Sequence, residues 1–147
     1  KGYLQIRHIH TIQNLIGFNN LSSLNALSII ECYGINDLDG LQGITTLNDG
    51  FYAGYSSMVN FHGLNNVTYI GGLGVDYNQG GNAQLQSMEG FNSLQTVIGQ
   101  FSIGWANRLK NVNALSNLTS VSGLFMLNSC DSLVNLNGLQ NLNHIGS

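Results

Sequence analysis

The chain carries little charge of either sign. Only 7% of its 147 residues are Asp, Glu, Lys or Arg, against about 25% in a typical soluble domain. Four Lys and Arg residues are too few to form a basic footprint on nucleic acid or on an anionic membrane. No apolar run is long enough for a spanning helix, and no signal peptide is recognisable. We therefore expect no nucleic-acid partner and no membrane insertion.

The usual sequence signatures of catalysis are also missing. The chain has no Gly-rich phosphate loop, no nucleophile elbow and no His-Glu helix motif. His8 and His10 could share one face of a strand, but only Glu31 and Cys32 suggest themselves as further ligands. A packed or solvated histidine pair is therefore favoured over a tetrahedral zinc site. We expect a protein that is not an enzyme and that uses no cofactor and no metal.

What the chain does contain is a repeat of about 24 residues. Six times, five apolar residues follow one another at intervals of three, with a small residue directly before the middle one. The apolar sets run from Ile12 to Leu24, Ile35 to Leu47, Met58 to Ile70, Leu85 to Val97, Leu109 to Val121 and Leu133 to Ile145. The small residues are Gly17, Gly40, Gly63, Gly90, Ala114 and Gly138. We place them at corners, where Gly permits a positive φ or a close backbone approach.

Each unit opens with two apolar residues in alternation, which predicts one short strand with a buried face. These pairs are Leu4/Ile6, Leu27/Ile29, Phe51/Ala53, Leu73/Val75, Phe101/Ile103 and Leu124/Met126. Stacked strands form a parallel sheet, and the five-apolar segments form extended or 3₁₀-like turns. The prediction is an all-β-leaning, right-handed solenoid in a single domain, residues 1–147. Its six coils cover about 1–25, 26–48, 49–71, 72–98, 99–122 and 123–147.

The segment from Leu133 to Gly146, LVNLNGLQNLNHIG, follows the pattern LxxLxGLxxLxxIG. Together with the strand pattern LxI, it resembles the repeat of the receptor L-domain family, whose leucine-rich solenoids occur in receptor ectodomains and microbial surface proteins. The resemblance covers all six units and implies binding and display outside the cell or at its surface. The paired cysteines of the animal receptor domains are missing, so hormone binding of the receptor type is not implied.

A polar column stands one residue before the second apolar position of each unit. We expect these side chains to form an amide ladder along the solenoid axis that satisfies the turn backbone. The column consists of Asn14, Asp37, Asn60, Ser87, Asn111 and Asn135.

The two cysteines, Cys32 and Cys130, occupy equivalent places in the second and sixth units. Four rungs separate them, about 19 Å at sheet spacing, whereas a disulfide needs Cα atoms within about 7 Å. They cannot bond to each other, which leaves free thiols or pairing between molecules as the alternatives.

Three N-x-S/T signals begin at Asn20, Asn66 and Asn117, at one position of units one, three and five. They are candidate N-glycosylation sites. The alternative is that this sequence simply suits the turn of the repeat.

Two surfaces are candidates for contact with partners. Tyr55, Tyr77 and Trp105 stand at one position of successive coils. They either seal a corner of the core or form a stacking platform for glycans or another protein. On the outward strand face, Ile30, Phe125 and Leu127 lie near the ends of a row of small residues. That arrangement suits the approach of another chain.

Both ends of the chain fall inside the repeat register, without a polar cap, which leaves open strand edges. We expect a processed mature chain or an excised segment. The function we expect is that of a non-enzymatic extracellular structural or adhesive protein. Its partners would be other protein chains, including copies of itself in a polymer or surface assembly. The alternative is a ligand- or carbohydrate-recognition module of a cell-surface receptor.

Overall fold

The structure is a computed structural model of the chain that describes residues 2–75 and 82–146. In these residues, eleven strands form two parallel sheets. The first sheet contains β1 (Tyr3–Arg7), β2 (Ala26–Ile30), β4 (Gly50–Gly54), β6 (Leu73–Val75), β8 (Phe101–Gly104) and β10 (Phe125–Asn128). The second contains β3 (Thr46–Leu47), β5 (Tyr69–Ile70), β7 (Thr96–Val97), β9 (Ser120–Val121) and β11 (His144–Ile145). The predicted β-solenoid of six coils is confirmed.

Equivalent residues of successive coils lie directly opposite one another. In the first sheet Leu4 pairs with Leu27, Leu27 with Phe51, and Phe51 with Leu73. The strand residues therefore stack in columns, and the inward columns form one continuous core. In coils two to five every residue of the five-apolar sets is wholly buried.

Regular helix is scarce in the described part of the chain. Two 3₁₀ turns, Ile16–Phe18 and Asn113–Leu115, occupy the corners of the first and fifth coils. Among the described residues, no helix has the length and apolar character needed to cross a bilayer.

Strand β10, in the sixth coil, is shifted by one residue from the sequence prediction. Phe125 pairs with Phe101, and Leu127 pairs with Ile103, so Phe125 and Leu127 are the inward residues. The Phe101 and Phe125 rings stack with centroids 4.8 Å apart, while Leu124 is 56% exposed. The prediction that Leu124 and Met126 point inward is wrong. Four consecutive apolar residues fit either phase of a strand, and stacking on the fifth coil selects one.

Four of the six corner residues have the positive φ that the sequence predicts. Gly63, with φ +103°, is typical, because a Cβ atom there would overlap the carbonyl oxygen of Leu38 in the preceding coil. Gly17 and Ala114 instead lie in the 3₁₀ turns, and a Cβ on Gly17 would meet nothing within 4 Å. The residues that share the left-handed conformation are Gly40, Gly63, Gly90 and Gly138.

The polar column forms local turns and not an axial ladder. Each side-chain oxygen accepts a hydrogen bond from the backbone N–H two residues further on, as in Asn60 from His62 at 2.9 Å. The prediction of an axial amide ladder at this column is therefore wrong. A short side chain reaches its own turn more easily than the next coil, as in Asx turns. The acceptors are Asn14, Asp37, Asn60, Ser87, Asn111 and Asn135.

Replacing Gly63 by Ala should destabilise the protein by about 2–4 kcal/mol, because the new Cβ meets both backbone strain and the Leu38 carbonyl. The melting temperature should fall by about 5–15 °C. The matched control is Gly17→Ala, which we expect to be neutral or stabilising by up to about 1 kcal/mol. Thermal unfolding followed by circular dichroism measures both. Equal effects of the two substitutions would contradict the role assigned to the corner.

Candidate interaction surfaces

The aromatic column lies where the strands of the first sheet end. Tyr55 is half-buried and Trp105 is 37% exposed. Both have left-handed backbone conformations, with φ 50° and 57°, which are uncommon outside Gly. Tyr77 lies outside the described residues. Tyr55 and Trp105 belong to the third and fifth coils, two rungs or roughly 10 Å apart at sheet spacing.

The left-handed conformation is a feature of the column and not of its aromatic members. His8, Glu31 and Ser129 share it at the same place in other coils. It lets the chain leave the strand while the N–H still bonds to the next coil, as His8 N–H does to Ile30 O at 3.0 Å. The period of the repeat located this column in the sequence, but no residue type in it signals a positive φ.

The outward strand face does not present the predicted interface. Ile30 stands at an outward position yet is only 5% exposed, and Phe125 and Leu127 pack against the core. The prediction of an exposed patch of these three residues is therefore wrong. Phe125 and Leu127 point inward because of the phase of strand β10.

Two histidines lie close to glutamates of the neighbouring coil. Nδ1 of His8 lies 2.9 Å from Oε2 of Glu31, and Nε2 of His62 lies 3.3 Å from Oε2 of Glu89. In residues 2–75 and 82–146, no three His, Cys, Asp or Glu side chains come together as a metal site would require. The two His–Glu pairs therefore connect neighbouring coils.

Both thiols are free, but only one of them is accessible. Cys32 has no exposed surface, and its Sγ donates to the carbonyl oxygens of Ile6 and Ile30 at 3.5 and 3.4 Å. The suggested intermolecular pairing through Cys32 is wrong for the folded chain. Cys130 is half-buried, and this burial raises the pKa of its thiol above the ordinary 9.0.

The sequon asparagines connect one coil to the preceding one. Nδ2 of Asn66 donates to the Gln42 carbonyl at 2.8 Å, and Nδ2 of Asn117 donates to the Asn92 carbonyl at 2.7 Å. Asn141, which is not in a sequon, makes the same bond to Ser116. Asn20 belongs to the first coil, is exposed, and has no described coil before it to accept such a bond.

The outer side of the sixth coil, which we call the C-terminal face, exposes residues of the core column. Leu136 is 55% exposed and Ile145 is 53% exposed, whereas their equivalents in the fifth coil, Val112 and Val121, are wholly buried. Leu133, Leu139 and Leu142 of the same face are half-buried. The N-terminal face, the outer side of the first coil, differs at two positions, where Leu15 and Leu24 are only 1% and 5% exposed. Its other core residues, Ile12, Phe18 and Leu21, are half-buried as on the C-terminal face.

No protein family, curated protein or solved structure matches this chain. The fold and the surfaces described above are therefore the basis of the functional argument.

Thiol labelling should separate the two cysteines. We expect the native protein to label at Cys130 alone, slowly at pH 7, because a raised pKa lowers the thiolate fraction at any given pH. The labelling rate should continue to rise through pH 9 and beyond. Mass spectrometry of Cys32→Ser and Cys130→Ser identifies the labelled position. Labelling of Cys32 without prior unfolding would contradict its burial.

Glycosylation should distinguish the sequons when the chain passes through a eukaryotic secretory pathway. A glycan on Nδ2 of Asn20 displaces no coil-to-coil bond. A glycan at Asn66 or Asn117 replaces one hydrogen of the Nδ2 that makes such a bond, and we expect the crowding to cost about 1 kcal/mol of stability at each site. Intact mass before and after glycosidase treatment, in wild type and Asn20→Gln, gives the occupancy. An unmodified mass, or stability unchanged on removal of glycans from Asn66 and Asn117, would refute this expectation.

Proposed function

We propose that the chain is a non-enzymatic, extracellular structural or adhesive protein that associates with copies of itself. The observation that carries the proposal is the C-terminal face, where the core column of the solenoid continues to the surface. Burial of apolar area drives most protein association. An exposed apolar area of this kind, next to open strand edges, favours contact with another chain.

The edges of both sheets add directional bonding to this apolar contact. In the described residues β10 pairs only with β8, β11 pairs only with β9, and β1 pairs only with β2. Each of these strands therefore has a second edge at which another chain can add a strand. Net charge opposes association only weakly, because it is −3 for the whole chain.

The extracellular part of the proposal rests on the sequence. The resemblance to the receptor L-domain repeat favours a surface or secreted protein, and the three sequons are consistent with a glycoprotein. The surface is polar mainly through Asn, Ser, Thr and Gln side chains. Such a surface suits a display or adhesion role, in which hydrogen bonding and not a strong field determines contacts.

A second candidate function is recognition of a ligand or carbohydrate by a surface receptor. It is favoured by Trp105, which is 37% exposed at a corner held by the N–H bond to Asn128 at 3.0 Å. An exposed indole is a good platform for stacking a sugar ring. Since Trp105 is the single tryptophan, a shift of intrinsic fluorescence on titration with glycans would report such binding directly.

Size-exclusion chromatography with light scattering tests the leading proposal. The mass of the 15.9 kDa chain should rise in multiples with concentration, and electron micrographs should show rods. Added salt should weaken the association little, because apolar contacts and backbone hydrogen bonds are not screened. A chain that remains monomeric at its highest soluble concentration would contradict self-association and leave the recognition function as the better proposal.

A further inference from the structure

We infer that the occupant of the C-terminal face is the first coil of a second copy, stacked as the fifth coil stacks on the fourth. The inference rests on the proposed self-association and specifies its partner, its polarity and its register. The two end faces match the two sides of a junction inside the solenoid at their corners.

The corner of the first coil has the geometry of the corner of the fifth. Its 3₁₀ turn begins after Leu15, at φ −112° and ψ 21°, and the turn of the fifth coil begins after Val112, at φ −118° and ψ 26°. Both turns end in right-handed helical conformations, at Asn19 and at Ser116. The fifth coil is covered by the fourth on the side that the first coil leaves open.

The sixth coil has the geometry of the fourth. Gly138 and Gly90 have φ 105° and 107°. Each donates its N–H to the side-chain oxygen two residues on, Gln140 at 2.7 Å and Asn92 at 3.1 Å. The junction between the fourth and fifth coils is thus a template for a junction between the sixth coil and the first coil of another copy.

The template assigns a partner to Asn20. At the internal junction Nδ2 of Asn117 donates to the Asn92 carbonyl. Asn20 and Asn117 each stand two residues after the middle apolar residue, and Gln140 and Asn92 each stand one residue after it. Asn20 would therefore donate to the Gln140 carbonyl of the neighbouring copy.

The strand edges of the first sheet meet in the same register. Trp105 N–H bonds to Asn128 O across an internal junction, and Ser129, which already has φ 52°, would bond in the same way to Arg7 O. The inward residues Phe125 and Leu127 would then be covered by Leu4 and Ile6 of the second copy.

Charge does not oppose this arrangement. The first coil contains Lys1 and Arg7 and no acidic residue, while the sixth contains Asp131 and no Lys or Arg. The contact joins two different faces, so each added copy presents a fresh face and the stack stays open.

Complementation of two blocked variants tests the polarity. Gly17→Glu places a charge where the monomer leaves open space and a stacked neighbour would lie. Leu136→Glu places one on the C-terminal face. Each variant alone should be monomeric, with association weakened more than about 100-fold by an unpaired buried charge. An equimolar mixture should form dimers and nothing larger, because one intact face of each kind remains.

Matched controls carry the same charge on the solvent side of the same coils. They are Gln13→Glu in the first coil and Val134→Glu in the sixth, the latter at a side chain that is 83% exposed. Both should associate like the wild type. Asn20→Ala, made in a host that does not glycosylate, should weaken association about 2- to 10-fold, as loss of one hydrogen bond would. Circular dichroism and melting temperature verify the fold of every variant.

The outcomes separate this inference from the proposed function. If the wild type associates but the mixture of blocked variants stays monomeric, or if Gly17→Glu still associates, the head-to-tail register is wrong while self-association stands. Loss of association in the controls would also overturn the register. A wild type that is monomeric throughout would contradict both and assign the end faces to other occupants.

Discussion

Close stacking of one coil on the next is the constraint on which this structure depends. Backbone N–H and carbonyl groups of neighbouring coils must approach to hydrogen-bond distance at the corners as well as in the strands. At four corners only Gly fits, because its neighbour's carbonyl occupies the space of a side chain. Once the corners are in place, the apolar residues between them face a common axis. No coil could bury this column alone, so the stability of each depends on its neighbours.

Stacking also accounts for the scarcity of charge. Equivalent residues of successive coils lie about 4.8 Å apart. A charge repeated in every unit would therefore be repelled by a like charge in each neighbouring coil. Neutral Asn avoids this repulsion and serves two purposes. In one column it completes its own turn, as Asn60 does, and in another it reaches the preceding coil, as Asn66 does. Glu31 and Glu89 each lie beside a histidine of the preceding coil, His8 and His62.

The sequence allowed the architecture to be predicted because its signal is repeated six times. A single unit would be ambiguous, but a strict spacing of three with a small residue at one place permits few backbones. The wrong predictions concern single residues or strands whose conformation depends on local contacts and not on the repeat. The run Leu124 to Leu127 is apolar throughout, so its phase depends on the fifth coil and not on alternation. The direction of the Asn60 side chain depends on turn geometry, and the burial of Cys32 depends on contacts with the first coil. Neither is encoded in residue spacing.

The two ends of the solenoid are unequal, and this inequality bears on how copies would meet. Leu15 and Leu24 of the first coil are almost fully buried, while their equivalents in the sixth coil, Leu136 and Ile145, are about half exposed. At these two positions the core column is therefore more open on the C-terminal face than on the N-terminal face. Two such ends could meet face to face, but the corner geometries would then oppose one another, and no internal junction has that form. A contact between opposite ends repeats the junction that the chain already makes between its fourth and fifth coils. Each added copy would gain one such interface at the cost of its own freedom of motion, so every step of growth would have the same free energy. A glycan on Asn20 would crowd the bond that this junction uses, so we expect it to weaken the contact by about 1 kcal/mol, as at the equivalent internal bonds of Asn66 and Asn117.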